Sequence, residues 1–356
     1  MKIIFAGGGT GGSATPLLAV ADEIGEKYPE ADFLFIGTQY GPEGNLVREK
    51  GMGFQAISAG KLRRYFSWRN FIDPFRVLAG FFQSLKILKE YRPDVILAAG
   101  SFVSVPVVWA AWFLHIPALI HQQDVIPSLA NKMLQRIATL ITVTFESSLK
   151  NFPKEKTIWV GNPIREELLT GSRDAGQKDF GLDPSLPTVL VFGGGTGAQK
   201  INEMMMEMIF KLTKFCQVVH LFGKEKMMYK IKEERYHGYE FLVGEMKEAF
   251  AVADIVLCRA GLGSLTEVAA VGLPAIIIPM PDTHQEANAA VFKRANAAVV
   301  LDQSTVDPDF LVNVIHGLLS NMEWRRVLSK NIRQLVKPEA REILADKLLS
   351  LIKKPK

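Results

Sequence analysis

The peptide Gly-Gly-Gly-Thr-Gly occurs twice in this chain, at Gly7–Gly11 and at Gly193–Gly197. Each copy directly follows an apolar run that predicts a β-strand, Lys2–Ala6 or Val189–Phe192, and each precedes a segment that predicts a helix. A turn without side chains lets a ligand approach the backbone closely, and the unpaired amides at a helix start attract negative charge. The two turns therefore predict that an anionic group, such as a diphosphate, is held between two similar halves of the protein.

Both copies also fit the G-x-G-x-x-G pattern of dinucleotide-binding folds, the second in its relaxed form. A site for NAD needs, in addition, an acidic residue at the end of the second strand to hold the ribose. In the first half this strand runs through Phe33–Ile36 into Gly37, and its counterpart runs through Val218–Phe222 into Gly223. Because neither strand ends on a carboxylate, the sequence argues against a dehydrogenase.

Apolar runs and helix-like segments alternate through both halves, which predicts an α/β fold. We expect two Rossmann-like domains, each built on a doubly wound parallel sheet, that face one another across a cleft. The pattern places the first helix over Pro16–Lys27 and a strand of the second half at Glu240–Val243. A polar, linker-like stretch, Gly171–Gln177 and then Asp183–Pro187, precedes the second glycine-rich turn.

Composition limits the class of protein further. A chain of 356 residues with 48% hydrophobic and 22% charged residues is long enough for two globular domains. The two cysteines, Cys216 and Cys258, lie inside apolar runs, so we expect buried free thiols in a reducing compartment. The six histidines form no cluster with metal-ligand spacing, so we expect no metal site.

The stretch Val95–Gln123 contains no charged residue and is long enough to cross a bilayer. Gly100, Pro106 and Pro117 divide it, however, into pieces that predict a strand, a helix and a second strand. Buried parallel strands are apolar throughout, so we favour this interpretation, with a membrane-spanning helix as the alternative. The short apolar run at the amino terminus predicts a first strand and not a secretory signal.

Five motifs in register along the chain carry a resemblance to a known family: Phe5–Gly12, Gly161–Arg165, Gly193–Ala198 with Asn202, Cys258–Glu267 and Gly272–Pro274. They resemble the MurG family, the peptidoglycan N-acetylglucosaminyltransferases of glycosyltransferase family 28, over essentially the full length. The resemblance implies the two-lobed GT-B fold and an inverting, metal-independent hexosyltransferase without a cofactor. Its donor would be UDP-N-acetylglucosamine, and its acceptor the muramyl C4 hydroxyl of a polyprenyl-diphosphate-linked N-acetylmuramyl-pentapeptide, as in the step from lipid I to lipid II.

The resemblance also implies a division of labour along the chain. Residues 1–162 would form an acceptor-binding, membrane-facing domain, and residues 163–336 a domain that binds the UDP-sugar. Residues 337–356 would form a helix that returns to the first domain. Such an enzyme would work as a peripheral protein on the cytoplasmic face of the cell membrane, in cell wall synthesis.

For the donor site, the segment Arg259–Glu267 follows a predicted strand and opens a helix, whose exposed amides and dipole suit a departing diphosphate. The resemblance makes Glu267 the acceptor for ribose hydroxyls and Arg165 a phosphate contact, with Val243 and Met246 bordering the uracil. The alternative for Glu267 is a capping box with Ser264. The implied donor-binding residues are Thr10, Gly11, Gly12, Asp124, Arg165, Gly195, Thr196, Asn202, Val243, Met246, Arg259, Leu262, Gly263, Ser264, Leu265, Thr266, Glu267, His284 and Gln285.

The acceptor half departs from the family pattern. Ser13 stands where the family has histidine, Phe102 where tyrosine is common, and Gln122 and Asp124 where it has glutamate and asparagine. The implied acceptor-binding residues are Gly9, Ser13, Phe102 and Asn131, and the candidate catalytic residues are Asp124, His121 and Ser13. Glycosyl transfer with inversion needs a base for the acceptor hydroxyl, so our hypothesis is that Asp124 takes this role or supports His121 while Ser13 orients the acceptor. In the alternative, His121 is a core histidine and Asp124 caps a loop.

The segment 61–91 interleaves aromatic residues with Lys61, Arg63, Arg64 and other cations, a composition typical of a surface that meets anionic headgroups. The residues expected to contact the membrane are Phe71, Phe75, Phe82 and Trp112. An amphipathic core helix is the alternative, and because the basic residues are local we expect no nucleic-acid partner. Alternative functions remain open: a UDP-sugar-binding protein with weak or no transferase activity, a transferase with a different lipid acceptor, or a UDP-sugar epimerase.

Overall fold

Short apolar runs form the strands of two separate parallel sheets. The computed structural model describes residues 1–9, 11–60, 69–194, 198–223, 232–242 and 244–352, without the side chains of residues 69–72. The chain divides into two units, Met1–Ile164 with Lys337–Lys356, and Arg165–Val336. Sequence placed the change of domain after residue 162, and the structure places it after Ile164.

The first unit is built on a sheet whose described strands are all parallel, in the order β3-β2-β1-β4-β5-β6-β7. Most of these strands are apolar along their whole length because helices cover both faces of the sheet. The strands are β1 (Lys2–Ala6), β2 (Asp32–Gly37), β3 (Gly53–Ala56), β4 (Val95–Ala98), β5 (Ala118–Gln122), β6 (Leu140–Val143) and β7 (Thr157–Trp159). The helices are α1 (Gly11–Lys27), α2 (Glu43–Glu49), α3 (Arg69–Tyr91), α4 (Ser104–Phe113) and α5 (Leu129–Leu134).

The last helix, α13 (Ala340–Leu349), belongs to this first unit and packs against α1. Its Leu344 and Leu348 are buried in the same core cluster as the apolar face of α1. At the edge of that contact, Arg341 Nε lies 2.6 Å from Glu23 Oε2. The carboxyl-terminal segment thus adds both apolar area and a partly buried ion pair to the first unit.

The second unit repeats the plan with the strand order β10-β9-β8-β11-β12-β13, again parallel in the described residues. The strands are β8 (Thr188–Phe192), β9 (Gln217–Leu221), β10 (Tyr236–Tyr239), β11 (Ile255–Cys258), β12 (Ala275–Ile277) and β13 (Val299–Val300). The helices are α6 (Arg173–Phe180), α7 (Gln199–Leu212), α8 (Met246–Val252), α9 (Leu262–Val271), α10 (His284–Arg294), α11 (Pro308–Ser320) and α12 (Met322–Arg333). The prediction of two doubly wound parallel-sheet domains is therefore confirmed.

Each glycine-rich turn follows the strand at which the order of its sheet reverses. In the first unit β1 lies between β2 and β4, and in the second β8 lies between β9 and β11. Open parallel sheets bind ligands beyond the carboxyl ends of the strands at this switch point. The topology therefore directs attention to Gly7–Gly9 in one unit and to Gly193–Gly194 in the other.

Some expectations for single elements need correction. The first helix begins at Gly11, five residues before the predicted start, because the unused amides of a first turn tolerate glycine and Pro16 fits inside the helix. The predicted strand at 240–243 is wrong for its described residues, since the edge strand β10 lies at Tyr236–Tyr239. The apolar pair Phe241 and Leu242 attracted the prediction, but Phe241 is exposed and Leu242 is only half-buried.

The uncharged stretch Val95–Gln123 folds as β4, α4 and β5, as the favoured interpretation predicted. Among the described residues, no helix has the length and apolar character that crossing a membrane requires. Cys216 and Cys258 are buried free thiols, and burial raises the pKa of each to about 12.

Candidate functional site

The second glycine-rich turn and the start of α9 lie side by side at the switch point of the second unit. Phe192 and Cys258, the last residues of β8 and β11, are register partners, so the turns that follow them are neighbours. Gly194 has φ +85°, which favours glycine, and a side-chain carbon built there would lie 3.9 Å from Ser264 Oγ, with no nearer atom among the described residues beyond its chain neighbours. Gly194 therefore lies beside the first turn of α9. Gly195 and Thr196 lie outside the described residues.

Arg259 provides a buried positive charge at the start of α9. Its Nη1 donates to the carbonyl oxygens of Ile278 (3.0 Å) and Pro279 (3.2 Å), and its Nη2 donates to Gln303 Oε1 (2.5 Å). These acceptors are all neutral, and Nε has no hydrogen-bond partner in the part of the chain that the structure describes. Burial lowers the pKa of this guanidinium, but arginine remains charged in proteins. None of the hydrogen-bond acceptors described for Arg259 is therefore an acid that would neutralise its charge.

The first turn of α10 holds the segment between β11 and α9. Gln285 Oε1 accepts from the backbone N–H groups of Ala260 (3.3 Å) and Met280 (3.0 Å). Asn288 Nδ2 donates to the carbonyl oxygen of Ala260 at 3.1 Å, so Ala260 is bound on both sides by α10. Gln285, which the resemblance placed among the donor-binding residues, therefore also fixes the loop that carries Arg259.

Glu267 lies on α9 and pairs with Arg165. Both Nε and Nη2 of Arg165 lie 3.0 Å from Glu267 Oε1. Burial raises the pKa of Glu267, while the neighbouring Arg165 acts in the opposite direction. The capping-box alternative with Ser264 is wrong, because the helix begins at Leu262 with Gly261 as its N-cap and no side-chain cap.

The other predicted donor-binding residues are either buried, outside the described residues, or placed in the first turn of a helix. Leu262 and Leu265 are buried in the second unit, and the Thr266 hydroxyl donates to the carbonyl oxygens of Leu262 (3.0 Å) and Gly263 (2.9 Å), so these residues present mainly backbone to a ligand. Met246 begins α8 and is also buried. Two further residues, Thr10 and Val243, lie outside the described residues, while Gly12 lies in the first turn of α1 and His284 begins α10.

Asn202 on α7 belongs to a buried polar chain. His220 Nδ1 lies 2.8 Å from Tyr236 Oη, and its Nε2 lies 3.1 Å from Asn202 Oδ1. Asn202 Nδ2 in turn donates to the carbonyl oxygen of Phe222 at 2.9 Å. The phenol donates to Nδ1 and Nε2–H donates to the amide, so the imidazole is neutral, and burial lowers its pKa to about 4.

In the first unit, the glycine-rich turn is hydrogen-bonded to a buried acid that the sequence analysis did not predict as a site residue. Glu43, at the start of α2, is fully buried, and its Oε2 accepts from the N–H of Gly9 at 3.2 Å. Its Oε1 accepts from the N–H of Thr38 at 2.7 Å and also from the Thr38 hydroxyl. Gly9 has φ +86° and lies against the ring of Phe102, which brings these two predicted acceptor residues together.

Ser13 and His121 are both turned into the first unit. The Ser13 hydroxyl donates to the carbonyl oxygen of Gly8 at 3.2 Å, closing the turn. His121 is 1% exposed, with Nδ1 2.9 Å from Thr142 Oγ1 and Nε2 3.1 Å from Asn162 Oδ1. Burial lowers the pKa of His121 to about 4. This geometry favours the core-histidine alternative for His121.

Gln122 organises the loop that carries Asp124. Its Nε2 donates to the carbonyl oxygens of Asp124 (2.7 Å) and Ile126 (3.1 Å), and its Oε1 accepts from the N–H of Ser128 (3.2 Å) and from Asn131 Nδ2 (2.8 Å). A glutamate at this position could not donate to the two carbonyls. The departure from the family pattern thus has a local structural role, and it leaves Asp124 partly exposed on the loop.

Exposed aromatic residues lie on α3 and α4, which pack against each other. Phe75, Phe82 and Trp112 are 73%, 60% and 60% exposed. The ring of Phe81 on α3 contacts the ring of Phe82 on the same helix and the exposed ring of Phe113 on α4. The side chain of Phe71, and the predicted cations Lys61, Arg63 and Arg64, lie outside the described part of the chain.

No group of three or more histidine, cysteine, aspartate or glutamate side chains suited to a metal ion occurs among the described residues. Positive groups near the second switch point include Arg259 and the amides that begin α9. These are the groups that the chain itself can offer to a diphosphate.

Two doubly wound units with a glycine-rich turn at each switch point define a two-domain α/β protein of the nucleotide-binding class. The Glycosyltransferase family 28 N-terminal domain matches residues 3–143, and the Glycosyltransferase family 28 C-terminal domain matches residues 188–343. The chain belongs to glycosyltransferase family 28.

Relatives with curated names support the same assignment. The chain is 37% identical over 334 residues, 92% of its length and 94% of the relative's, to the UDP-N-acetylglucosamine--N-acetylmuramyl-(pentapeptide) pyrophosphoryl-undecaprenol N-acetylglucosamine transferase 2 of Bacillus cereus. It is 37% identical over 357 residues to the transferase of that name from Lachnospira eligens, covering 99% of this chain and 98% of the relative. Among solved structures, Acinetobacter baumannii MurG has the same fold, with a TM-score of 0.72, 23% identity, and coverage of 98% of this chain and 99% of that one.

Proposed function

We propose that this chain transfers N-acetylglucosamine from UDP-N-acetylglucosamine to the muramyl C4 hydroxyl of a polyprenyl-diphosphate-linked N-acetylmuramyl-pentapeptide, the step from lipid I to lipid II. The observation that carries the proposal is the buried guanidinium of Arg259, which has only neutral partners among the described residues and lies where α9 begins. Such a charge, together with helix amides, is suited to a diphosphate leaving group. The names of the relatives supply the sugar and the acceptor.

In this reaction the C4 oxygen of the acceptor attacks the anomeric carbon of the sugar, and the bond from that carbon to the diphosphate oxygen breaks. UDP leaves with the bonding electron pair, and the acceptor hydroxyl loses its proton to a base. Arg259 and the first amides of α9 stabilise the negative charge that develops on the departing diphosphate. Glu267 accepts hydrogen bonds from the ribose, and we propose that the reaction needs no divalent ion.

We assign the base to Asp124. His121 is buried with both ring nitrogens engaged, whereas Asp124 lies partly exposed on a loop that Gln122 fixes from within the unit. A partly exposed carboxylate on a well-held loop supports this assignment, because a base must be able to reach the acceptor hydroxyl within hydrogen-bond distance. Ser13, whose hydroxyl donates to the carbonyl of Gly8, helps to shape the acceptor side of the turn.

We further propose that the exposed aromatic residues of α3 and α4 hold the first unit on an anionic membrane surface, on the cytoplasmic face of the cell membrane. Aromatic side chains exposed close together are suited to the headgroup region of a bilayer. The triple variant Phe75→Ser, Phe82→Ser, Trp112→Ala should lose sedimentation with phosphatidylglycerol vesicles while its melting temperature stays close to wild type. The matched control is Phe210→Ser, on α7 of the second unit, which is also 60% exposed and should bind vesicles normally. Equal binding by the triple variant would contradict the membrane surface.

Incubation of the purified protein with labelled UDP-N-acetylglucosamine and a lipid I analogue, with and without EDTA, tests the activity. We expect an acceptor-dependent disaccharide product with inverted anomeric configuration in both conditions. Binding of the donor without any product would favour a UDP-sugar-binding protein, and a sugar epimer in the absence of acceptor would indicate an epimerase. Activity only with added magnesium would exclude the metal-independent mechanism.

A further inference from the structure

Arg165 and Glu267 form an ion pair in which both donors of the guanidinium meet a single carboxylate oxygen. One edge of the guanidinium, through Nε and Nη2, directs two donors at the same carboxylate oxygen, Oε1, at 3.0 Å each. The other oxygen, Oε2, accepts no hydrogen bond from any described residue. Glu267 is 9% exposed, so its free oxygen is almost enclosed yet retains access to a ligand.

The charge of Arg165 is already engaged by the protein. Besides Glu267, its Nη1 lies 3.7 Å from Oε1 of Glu167, so the guanidinium stands between two carboxylates. Arg259 differs in this respect, because its described partners are neutral oxygens. Of the two arginines, Arg259 is therefore the better ligand for a diphosphate, and Arg165 is bound to an acid.

We propose that Arg165 is a positioning residue that acts through Glu267 and makes the site select a ribonucleotide over a deoxyribonucleotide. With Oε1 held by two donors, the plane of the carboxylate is fixed, and Oε2 is left to accept from the vicinal hydroxyls of the ribose. This role differs from a direct contact with phosphate. It rests on the proposed function, because it takes the ligand to be a UDP-sugar.

The electrostatics of the pair support the same role. Burial raises the pKa of Glu267 and so favours the protonated acid, which has lost part of its capacity to accept. The charge and hydrogen bonds of Arg165 act in the opposite direction and favour the carboxylate, while the charge of Glu167 adds to the upward shift. Without Arg165, the pKa of Glu267 should therefore be higher than in the wild type.

The test is calorimetric titration of UDP and of 2′-deoxy-UDP into the wild type, Arg165→Gln, Glu267→Gln and the double variant. Because hydrogen bonds to a charged group are strong, we expect the wild type to prefer UDP by about 10-fold or more. Arg165→Gln and Glu267→Gln should each reduce that preference to about 2-fold, and the double variant should show no further loss. Glu167→Gln is the matched control, since it removes an exposed charge beside Arg165 and should keep the preference.

The pH dependence adds a readout that a purely structural role would not change. In Arg165→Gln, affinity for UDP should rise with pH up to a higher pH than in the wild type, because Glu267 ionises later when its cationic partner is gone. Arg165→Lys keeps the positive charge but not the paired Nε and Nη2 donors. It should therefore show the same pH dependence of UDP affinity as the wild type, with only part of the preference for UDP over 2′-deoxy-UDP. It also provides a folded variant if the glutamine variant is unstable.

Each contrary result has a distinct meaning. Equal loss of affinity for both nucleotides in Arg165→Gln, with the preference retained, would overturn the proposal in favour of a phosphate contact. A wild type that binds UDP without preferring it would overturn the role of Glu267 and leave the transferase activity standing. A wild type that binds neither nucleotide would overturn the proposed function itself.

Discussion

The carboxylate of Glu43 accepts a hydrogen bond from the N–H of Gly9 at 3.2 Å, which ties the first glycine-rich turn to a fully buried acid. In the second copy of the same pentapeptide, the described residue Gly194 lies beside Ser264 of α9, with no acid among its described neighbours. The amide of Gly9 is already bound to a carboxylate, so that amide is not free for a phosphate.

The first prediction concerns Glu43→Gln. The side-chain amide keeps one acceptor oxygen but turns an NH2 group toward a backbone N–H, so either Gly9 or Thr38 loses its acceptor. Leaving one buried donor unpaired costs about 1–3 kcal/mol of stability. We expect a lower melting temperature and a raised KM for the lipid acceptor, with the KM for UDP-N-acetylglucosamine unchanged.

Thr38→Val is the matched control for Glu43→Gln, since it removes only the hydroxyl contact to Oε1 and leaves the bond to Gly9. Its acceptor KM should stay near wild type. A Glu43→Gln variant whose acceptor KM is also normal would mean that the acid stabilises the unit without shaping the acceptor site.

The sequence could predict what depends on neighbours in the chain. A glycine run between an apolar strand and a helix is a local signal, and both turns lie where that signal placed them, at the switch points. Glu43 contacts Gly9 across 34 residues, and Arg165 contacts Glu267 across 102. Such contacts depend on which strands become neighbours, so no local pattern in the sequence predicts them.

The dependence on distant contacts also explains which residues of the site were not predicted from the sequence. Gln303 binds Arg259 from 44 residues away, and nothing in its own surroundings marks it. Glu43 does have a local signal, since it follows a buried strand and stands among Gly37, Gly41 and Gly44. The departures at Gln122 and Asp124 were visible in the sequence, but the four hydrogen bonds of Gln122 required the loop geometry.

Substitution of Arg259 tests the proposed diphosphate site. Arg259→Gln removes the buried charge while leaving a side chain that can still donate toward Ile278 and Pro279. Loss of one preorganised group that stabilises developing charge costs about 10²–10³-fold in kcat. Steady-state kinetics with varied UDP-N-acetylglucosamine should show this fall in kcat with melting temperature little changed.

The control for Arg259→Gln is Arg173→Gln, the same change of charge in the same unit at a guanidinium that is exposed and pairs with Asp254 at 3.2 Å. It should leave both kinetic constants near wild type. If Arg259→Gln retains most of its kcat, the leaving group must be stabilised elsewhere.

Asp124→Asn tests the assignment of the base. The amide has nearly the shape of the carboxylate but cannot take a proton, so kcat should fall by about 10²–10⁴-fold while the KM for the donor changes little. Glu146→Gln, at an exposed acid in the same unit, serves as the control and should be fully active. Near-normal turnover of Asp124→Asn would dismiss the hypothesis and leave Asp124 as a loop residue.

The last prediction follows from the buried, neutral His220. Its pKa in the folded protein is about 4, below its ordinary value of 6.5, so between these pH values the unfolded chain binds a proton that the folded unit does not. Stability from this group is complete above pH 6.5 and is lost as the pH falls toward 4, by up to about 3 kcal/mol. His220→Gln should be less stable than the wild type at pH 7.5, because Tyr236 and Asn202 lose their shared partner. Between pH 7.5 and pH 5, however, its melting temperature should fall by less than that of the wild type.

The control is His316→Gln, at an exposed histidine of the same unit, whose melting temperature should respond to pH as that of the wild type does. Parallel declines in His220→Gln and the wild type would mean that acid destabilises the second unit through other groups.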